Sequence, residues 1–308
     1  MYSQADLDQT NSNSTNSLNL QDIPVEKVHV GDIDVGYKIF GNGEPLLVLN
    51  GAGQTMNAWD QSLLKVLSPN HTVIIFDTRG IGNTTVGSNP YTFQQLADDT
   101  AGLLDALKIP KANVMGHSLG SWLAQAFTIS YPEKVNSVTL ISSSCGGKDG
   151  IPKPPEFRNL QDDFVNKSLH NIPVTEEIKA LLLASYGSGW VKLHPEVLDI
   201  PANFTLQQAT PGVPPETAEK QQKLSIWEEN TNWSGVCDAE AKLAKPTLVI
   251  TGTEDNDYVP HGNALIIAGK IPGAWLVQIK DAGHAVPTQY PEELGRIVNT
   301  FLSTVPNN

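Results

Sequence analysis

A serine between two glycines is the strongest sign of chemistry in this 308-residue sequence. Residues 116–120 read Gly-His-Ser-Leu-Gly, directly after the strand-like run 113–115 and directly before a helical pattern. In this setting the G-x-S-x-G spacing is typical of a nucleophile held on a sharp, strained turn. The N–H groups that begin the following helix suit a developing negative charge. We therefore predict that Ser118 is a nucleophile; the alternative is a glycine-flanked turn with an idle serine.

A serine hydroxyl is a poor nucleophile unless a base takes its proton and a third group holds that base. His284 is the best candidate base, because a glycine precedes it and the apolar run 275–279 delivers it to a strand-end loop. Three acids of another strand-end loop, Glu254, Asp255 and Asp257, compete for the third role. The alternatives are an idle loop histidine and a solvated acidic loop.

Two backbone N–H groups are needed to hold the oxyanion of a tetrahedral intermediate. One is expected at Leu119, directly after the nucleophile. The second is expected from the glycine-rich loop 51–53, with Ala52 as donor, unless that loop is an ordinary turn. Such a set of groups would transfer an acyl group from an ester or lactone to water, without a metal ion or an organic cofactor.

Short apolar runs separated by helical patterns must position these residues, and such runs are typical of a parallel sheet covered on both faces. An alternating pattern at 25–30 and 32–40 predicts an antiparallel hairpin before them. Helical patterns lie at 93–107, 122–130 and 291–302. The strand-like runs are 46–49, 72–76, 113–115, 137–141, 247–250 and 275–279.

One long stretch, from about 146 to 237, breaks this alternation. It is rich in proline, lacks a strand-like run and regains helical patterning at 175–184 and 216–227. We interpret 146–237 as a helical insertion between two core segments, 23–145 and 238–305, and expect it to decide which substrate enters. Some aromatic side chains could line its pocket, although residues of this kind are more often plain core: Trp122, Tyr186, Trp190, Trp227 and Trp233.

The composition is that of a globular, acidic chain. The formal net charge of −13 disfavours nucleic acids and anionic membranes as partners. No stretch approaches the roughly 18 apolar residues of a spanning helix.

Residues 1–22 are polar and predict a disordered tail. Their start resembles what remains after a signal peptide is removed, which favours export or surface tethering over a cytoplasmic location; a native cytosolic tail is the alternative. The sequence does not decide the oligomeric state, which is either a monomer or a homodimer.

These segments together resemble the α/β-hydrolase superfamily of serine hydrolases. The resemblance rests on the glycine loop 51–53, the segment 76–82 (Phe-Asp-Thr-Arg-Gly-Ile-Gly), the elbow 116–120 and the Gly-His pair at 283–284, in that order along the chain. It implies an α/β fold with a mostly parallel central sheet, helices on both faces and a helical cap, here 146–237, over the site. Segment 76–82 is a structural hallmark of this family and receives no catalytic role.

The same resemblance implies that the triad acid lies three residues after Gly252, at Asp255. Pro260 lies five residues beyond that acid, where four is usual, so Asp257 stays an alternative. Serine at position 118 separates this chain from relatives that carry aspartate there and open epoxides or remove halide.

The resemblance favours a carboxylic-ester hydrolase with a small-molecule substrate. Asn50, Trp59-Asp60 and the segment 77–80 are similar to the enol-lactonase branch. The alternatives are therefore a lactonase, a C–C bond hydrolase or a cofactor-free perhydrolase with the same triad, or a receptor-like binding protein of this fold.

The two cysteines, Cys145 and Cys237, lie far apart in sequence without close Cys or His neighbours, which argues against a metal site. In the resembled fold they would lie near the two ends of the cap. A disulfide there would join the ends of the cap and would be consistent with export. Two buried thiols are the alternative.

Overall fold

An eight-stranded sheet organises the part of the chain that the structure, a computed structural model, describes: residues 18–225 and 245–306. The strands are β1 (Glu26–Val30), β2 (Ile33–Gly41), β3 (Glu44–Leu49), β4 (His71–Phe76), β5 (Ala112–His117), β6 (Val135–Ile141), β7 (Thr247–Gly252) and β8 (Trp275–Ile279). Their order is β1-β2-β4-β3-β5-β6-β7-β8. β2 is antiparallel to both β1 and β4, and the other pairs are parallel. The predicted fold class is confirmed.

Helices cover the sheet and fill the predicted insertion. In chain order they are α1 (Gln61–Leu67), α2 (Phe93–Ala106), α3 (Leu119–Ser130), α4 (Pro155–Leu169), α5 (Thr175–Tyr186), α6 (Ser188–Leu193), α7 (Leu206–Ala209), α8 (Pro215–Ser225), α9 (Gly262–Lys270), α10 (Val286–Gln289) and α11 (Pro291–Leu302). Of the helices in the two described ranges, none has both the length and the apolar character needed to cross a membrane.

Strand residues alternate between two cores, so the sheet is covered on both faces. In β3, Leu47 and Leu49 belong to a core shared with α2, α3 and α9, whereas Leu46 and Val48 belong to one shared with α1 and α11. Every residue of β5 and β7 is buried, as expected for parallel strands between two helical layers. This packing fixes the carboxyl ends of the strands, where the loops with the predicted site residues begin.

Helices α4 to α8 lie between β6 and β7 and are the described part of the insertion. They are less buried than the core helices: α4 buries Phe157 and Ser168, and α5 buries Leu181. Helix α5 extends the predicted helix at 175–184 by one half-turn, and α8 matches the predicted helix at 216–227 as far as Ser225. The rest of that helix, and residues 226–244 as a whole, lie outside the described residues.

The last residues of the predicted disordered tail are ordered, which corrects that prediction for Leu20–Asp22. These residues form a short 3-10 turn, and Leu20 is only 1% exposed within the core beside α1 and α11. The Lys38 ammonium donates a hydrogen bond to the carbonyl of Leu20. One apolar side chain and one buried cation thus anchor a segment whose average composition is polar. Residues 1–17 lie outside the described residues.

Candidate active site

Ser118 occupies a strained turn between β5 and α3. Its φ of 54° and ψ of −122° lie outside the regions that ordinary residues adopt. Its N–H donates to the carbonyl of Ile141 in β6 over 3.0 Å, which fixes the turn against the sheet. A Cβ at Gly120 would lie 2.1 Å from the carbonyl oxygen of Leu49, so only glycine allows α3 to approach β3 this closely. The backbone geometry predicted for an elbow is present.

His284 and Asp255 form a buried pair in the loops that follow β8 and β7. The imidazole Nδ1 lies 2.8 Å from the carboxylate Oδ2, and the two side chains are 6% and 0% exposed. Because a carboxylate accepts hydrogen bonds, Nδ1 carries the proton and Nε2 is left as the basic nitrogen. The N–H of Val259 donates to Asp255 Oδ1 over 3.0 Å and holds the carboxylate in place.

The other two candidate acids have different surroundings. Glu254 accepts the N–H of Gly189, in α6, over 3.4 Å. Asp257 is partly buried, and this burial, with a smaller contribution from the Asp255 charge, raises the pKa of its carboxyl group. Of the three acids, Asp255 is the one whose carboxylate contacts His284.

Two aromatic rings flank the His284 imidazole, and sequence reasoning did not identify the Tyr258 contact. Tyr258 stacks on it with ring centroids 4.5 Å apart and planes 12° apart. Tyr258 also meets Phe157 of α4 edge to face at 4.6 Å, so the insertion packs against the base through this tyrosine. The only sequence signal was its position beside the candidate acids. The His117 ring lies 4.9 Å away on a tilted plane.

His117 holds the backbone of His284. Its Nε2 lies 2.9 Å from the carbonyl oxygen of His284, and because a carbonyl only accepts, Nε2 carries the proton. Burial, together with the charge of His284, lowers the pKa of His117 to about 3. The ring is therefore uncharged at neutral pH. It places no second positive charge beside His284, the residue that is predicted to accept the serine proton.

The loop 51–53 leaves the N–H of Ala52 as its available donor. The Gly51 N–H donates to Gln54 Oε1 over 3.0 Å, and the Gly53 N–H donates to Gln221 Oε1 over 2.8 Å. Neither the Ala52 N–H nor the Leu119 N–H meets an acceptor among the described residues. Both residues line the same cavity as Ser118, which is the placement that two oxyanion donors would need.

A cavity of about 320 Å³ lies between the strand ends and the insertion, with Ser118 and His284 in its wall. Of the aromatic residues considered from sequence, Trp122 and Tyr186 line it, Trp190 stacks on Tyr186 at 4.7 Å, and Trp227 and Trp233 lie outside the described residues. The insertion contributes Lys153, Gln161, Phe164, Val165, Ile178, Leu181, Leu182, Ser185, Tyr186, Leu206, Thr210, Ala218, Gln221 and Gln222. This wall is mostly apolar.

The residues that resemble the enol-lactonase branch form structural contacts. Asn50 accepts a hydrogen bond from the Trp59 indole and donates to the carbonyl of Phe76 over 3.3 Å. Arg79 is buried and makes a bidentate pair with Asp99, with both contacts at 2.7 Å. These contacts stabilise the loops after β3 and β4, whereas Trp59 and Asp60 also lie in the wall of the cavity.

Cys145 is fully buried just after β6, whereas Cys237 lies outside the described residues, and the pairing of the two stays a prediction. Residues 18–225 and 245–306 contain no group of three or more His, Cys, Asp or Glu side chains arranged to hold a metal ion.

Comparison with known proteins gives relatives along most of the chain. The sequence model of the alpha/beta hydrolase fold matches residues 44–288. A Mycobacterium tuberculosis protein provisionally named non-heme bromoperoxidase BpoC is 27% identical over 276 residues, 89% of this chain and 99% of its own. A poly(3-hydroxyalkanoate) depolymerase from Ectopseudomonas oleovorans is 29% identical over 263 residues, 84% of each chain. The solved structure of a thermophilic esterase from Thermogutta terrifontis covers 92% of this chain and 100% of its own, with a TM-score of 0.72 and 24% identity.

Proposed function

The chain belongs to the alpha/beta hydrolase fold family, and on that premise we propose that it is a serine hydrolase that cleaves carboxylic esters through an acyl-enzyme. The observation that carries the proposal is the 2.8 Å contact between Asp255 and His284, because His284 lines the same cavity as the strained Ser118. A strained serine, an oriented imidazole and a buried carboxylate are the groups that nucleophilic acyl transfer requires.

In the first half of the proposed reaction, Ser118 Oγ attacks the ester carbonyl carbon while His284 Nε2 takes the hydroxyl proton. Asp255 accepts the Nδ1 proton and stabilises the imidazolium that forms. The carbonyl oxygen becomes an oxyanion, and the N–H groups of Ala52 and Leu119 donate to it. Collapse of this intermediate breaks the bond to the leaving alcohol, which takes the proton from His284 Nε2.

In the second half, water attacks the acyl carbon of the ester formed on Ser118, and His284 Nε2 takes a proton from that water. A second oxyanion forms at the same two N–H groups. The bond to Ser118 Oγ then breaks, the serine regains its proton from His284, and the carboxylic acid leaves. Every proton and bond is accounted for by the chain, the ester and one water molecule.

The names of the relatives do not select one reaction, because one refers to depolymerisation and another to bromoperoxidase chemistry. Ester hydrolysis is proposed because its two half-reactions use Ser118, His284, Asp255 and both proposed oxyanion donors, and need no reactant besides water. Lactones enter the same mechanism, with the leaving alcohol still tethered to the acyl group.

The test is release of 4-nitrophenol from short-chain 4-nitrophenyl esters, with Ser118→Ala as the control. We expect a burst equal to the enzyme concentration and then steady turnover, both absent in the variant. A fluorophosphonate probe should label Ser118, as located by peptide mass spectrometry. Equal release by both proteins, or labelling of another residue, would disprove the proposal. A panel that includes lactones would then rank substrates.

A further inference from the structure

Lys153 is a buried cation in the wall of the cavity. It lies in the segment between β6 and α4, directly before Pro154, and is only 9% exposed. Its side chain lines the same cavity as Ser118 and His284. None of the steps proposed above uses it.

The charge of Lys153 has little compensation. Its Nζ donates to Gln161 Oε1 over 3.1 Å, and no carboxylate in the described parts of the chain lies within ion-pair distance. A buried ammonium group that lacks an ionic partner is costly, because water no longer solvates it. Burial lowers the pKa of Lys153 to about 8; Asp255 and Asp162 oppose this and Arg158 adds to it. The group is therefore still mainly protonated at pH 7.

The surroundings of Lys153 indicate what kind of partner would fit. Among the described residues of the cavity wall, Lys153 is the one with a positive charge, because His117 is neutral. Apart from the Asp255–His284 pair, the other charged side chain at the cavity is that of Asp60. Asp60 accepts the N–H of Ser62 over 2.7 Å as the N-cap of α1. Other residues that line the same cavity are apolar, for example Phe164 and Val165 of α4. An anion carried on an aliphatic or aromatic body would match both features.

We propose that Lys153 binds an anionic group of the substrate, such as a carboxylate, so that the cavity selects esters that carry a negative charge. This inference rests on the proposed ester hydrolysis. The ammonium would donate a charge-assisted hydrogen bond to the anion, and such bonds are stronger at a group as buried as Lys153 than in water. The net charge of −13 opposes this only weakly, because repulsion by distant surface charges is screened over roughly 8 Å at physiological salt.

A different role for Lys153 must be separated from this one. The ammonium interacts electrostatically with Asp255, so it could support the Asp255–His284 pair without touching the substrate. Loss of that support would lower kcat for every ester alike. Loss of a substrate contact would raise KM for anionic esters alone.

The experiment compares Lys153→Met with wild type on two matched pairs of esters. Mono-4-nitrophenyl adipate and 4-nitrophenyl hexanoate differ by a carboxylate on the acyl part. The 4-carboxyphenyl and 4-acetylphenyl esters of butyric acid differ by a carboxylate on the alcohol part. We expect kcat/KM for the anionic member of at least one pair to fall roughly tenfold to hundredfold, mainly through KM. The neutral members should stay within about twofold.

Lys148→Met is the matched control, because it removes the same charge from an exposed lysine a few residues away. It should change neither pair, and thermal unfolding of all proteins should show that they fold. An equal loss on anionic and neutral esters would overturn the proposal in favour of support for Asp255. Unchanged selectivity in both pairs would also overturn it.

A binding measurement keeps this inference separate from the proposed reaction. Calorimetry on Ser118→Ala would compare monomethyl adipate with methyl hexanoate, and 4-carboxyphenyl butyrate with 4-acetylphenyl butyrate, before and after the added Lys153→Met change. If the wild type turns over no ester and the probe misses Ser118, ester hydrolysis is wrong. Tighter binding of an anionic ester that depends on Lys153 would still support an anion site. Equal binding of both members in each pair would disprove that site.

Discussion

The sheet and the insertion build opposite walls of the cavity by different means. On the sheet side, Ser118, Asp255 and His284 lie in the loops after β5, β7 and β8, and hydrogen bonds hold their backbones or side chains. On the insertion side, the helices bury few residues, and Leu193 of α6 is 78% exposed. The reacting groups that we propose are thus held by the backbone of the core, and we expect selectivity to depend on side chains of the insertion that can change without disturbing the sheet.

The largest expected effect tests the choice between two acids on the sheet side. Asp255→Asn removes the carboxylate that holds the His284 tautomer, so we expect kcat on a neutral ester to fall by about 10³- to 10⁴-fold. The matched change Asp257→Asn removes the same charge two residues away and should stay within about threefold. Steady-state kinetics would measure both. A larger loss in Asp257→Asn would assign the acid to Asp257.

The second effect concerns how tightly the core holds the elbow. In Gly120→Ala, the added Cβ would meet the carbonyl oxygens of Leu49 at 2.1 Å and Asn50 at 2.6 Å. We expect a loss of about 3 kcal/mol or more in the free energy of unfolding, because backbone must shift to make room. Gly269→Ala in α9 is the control: its Cβ meets nothing within 4 Å, so a gain of about 0.5–1 kcal/mol is expected. Urea unfolding of the two variants should therefore give opposite signs.

The third effect is the pH dependence that His117 gives to the core. Its pKa is about 3 in the folded chain against an ordinary value of 6.5, so between these values the unfolded chain binds a proton that the folded chain does not. Stability is therefore lost as pH falls from 6.5 towards 3. From pH 6.5 to 4.5 this amounts to about 2–3 kcal/mol. His117→Gln, which does not titrate, should lose that much less over the same range in urea unfolding. Parallel pH profiles for wild type and variant would refute the assignment.

The core was predictable because its signals are local. Five-residue spacing around Ser118 and the apolar runs before each loop fix both the fold class and the candidate site residues on the sheet side. The family spacing already favoured Asp255, and its 2.8 Å contact with His284 adds what the sequence lacks, since adjacent acids on one loop look alike in sequence. The stacking of Tyr258 on His284 depends on three-dimensional packing, which no residue spacing encodes.

The insertion was less predictable for the same physical reason. Its helices are recognisable by their periodicity, but their orientation depends on long-range contacts such as that between Phe157 and Tyr258. Lys153 therefore looked like one more lysine in a proline-rich segment. The burial of Lys153 depends on how the insertion packs against the core, and a local sequence pattern does not show this packing. Leu20 was overlooked because composition averages over a whole segment, whereas a single side chain can anchor one.

The smallest expected effect tests the contact that joins the two walls. Gln221 of α8 is 2% exposed, accepts the Gly53 N–H over 2.8 Å and donates to the Tyr91 hydroxyl over 3.2 Å. Gln221→Ala would leave that N–H without its partner and loosen the loop of the proposed oxyanion donor Ala52. We expect kcat to fall roughly threefold to tenfold with little change in KM, at a cost of about 1–3 kcal/mol in stability.

Lys220→Ala, a change at the exposed neighbour on the same helix, should alter neither quantity. The comparison of kcat with the folded fraction decides the interpretation. If the loss in kcat equals the loss of folded protein, Gln221 contributes only to stability and the two walls act independently. If kcat falls in fully folded enzyme, the insertion supports the reaction itself through the hydrogen bond between Gln221 and Gly53. The division between a core that reacts and an insertion that selects is then incomplete at this contact.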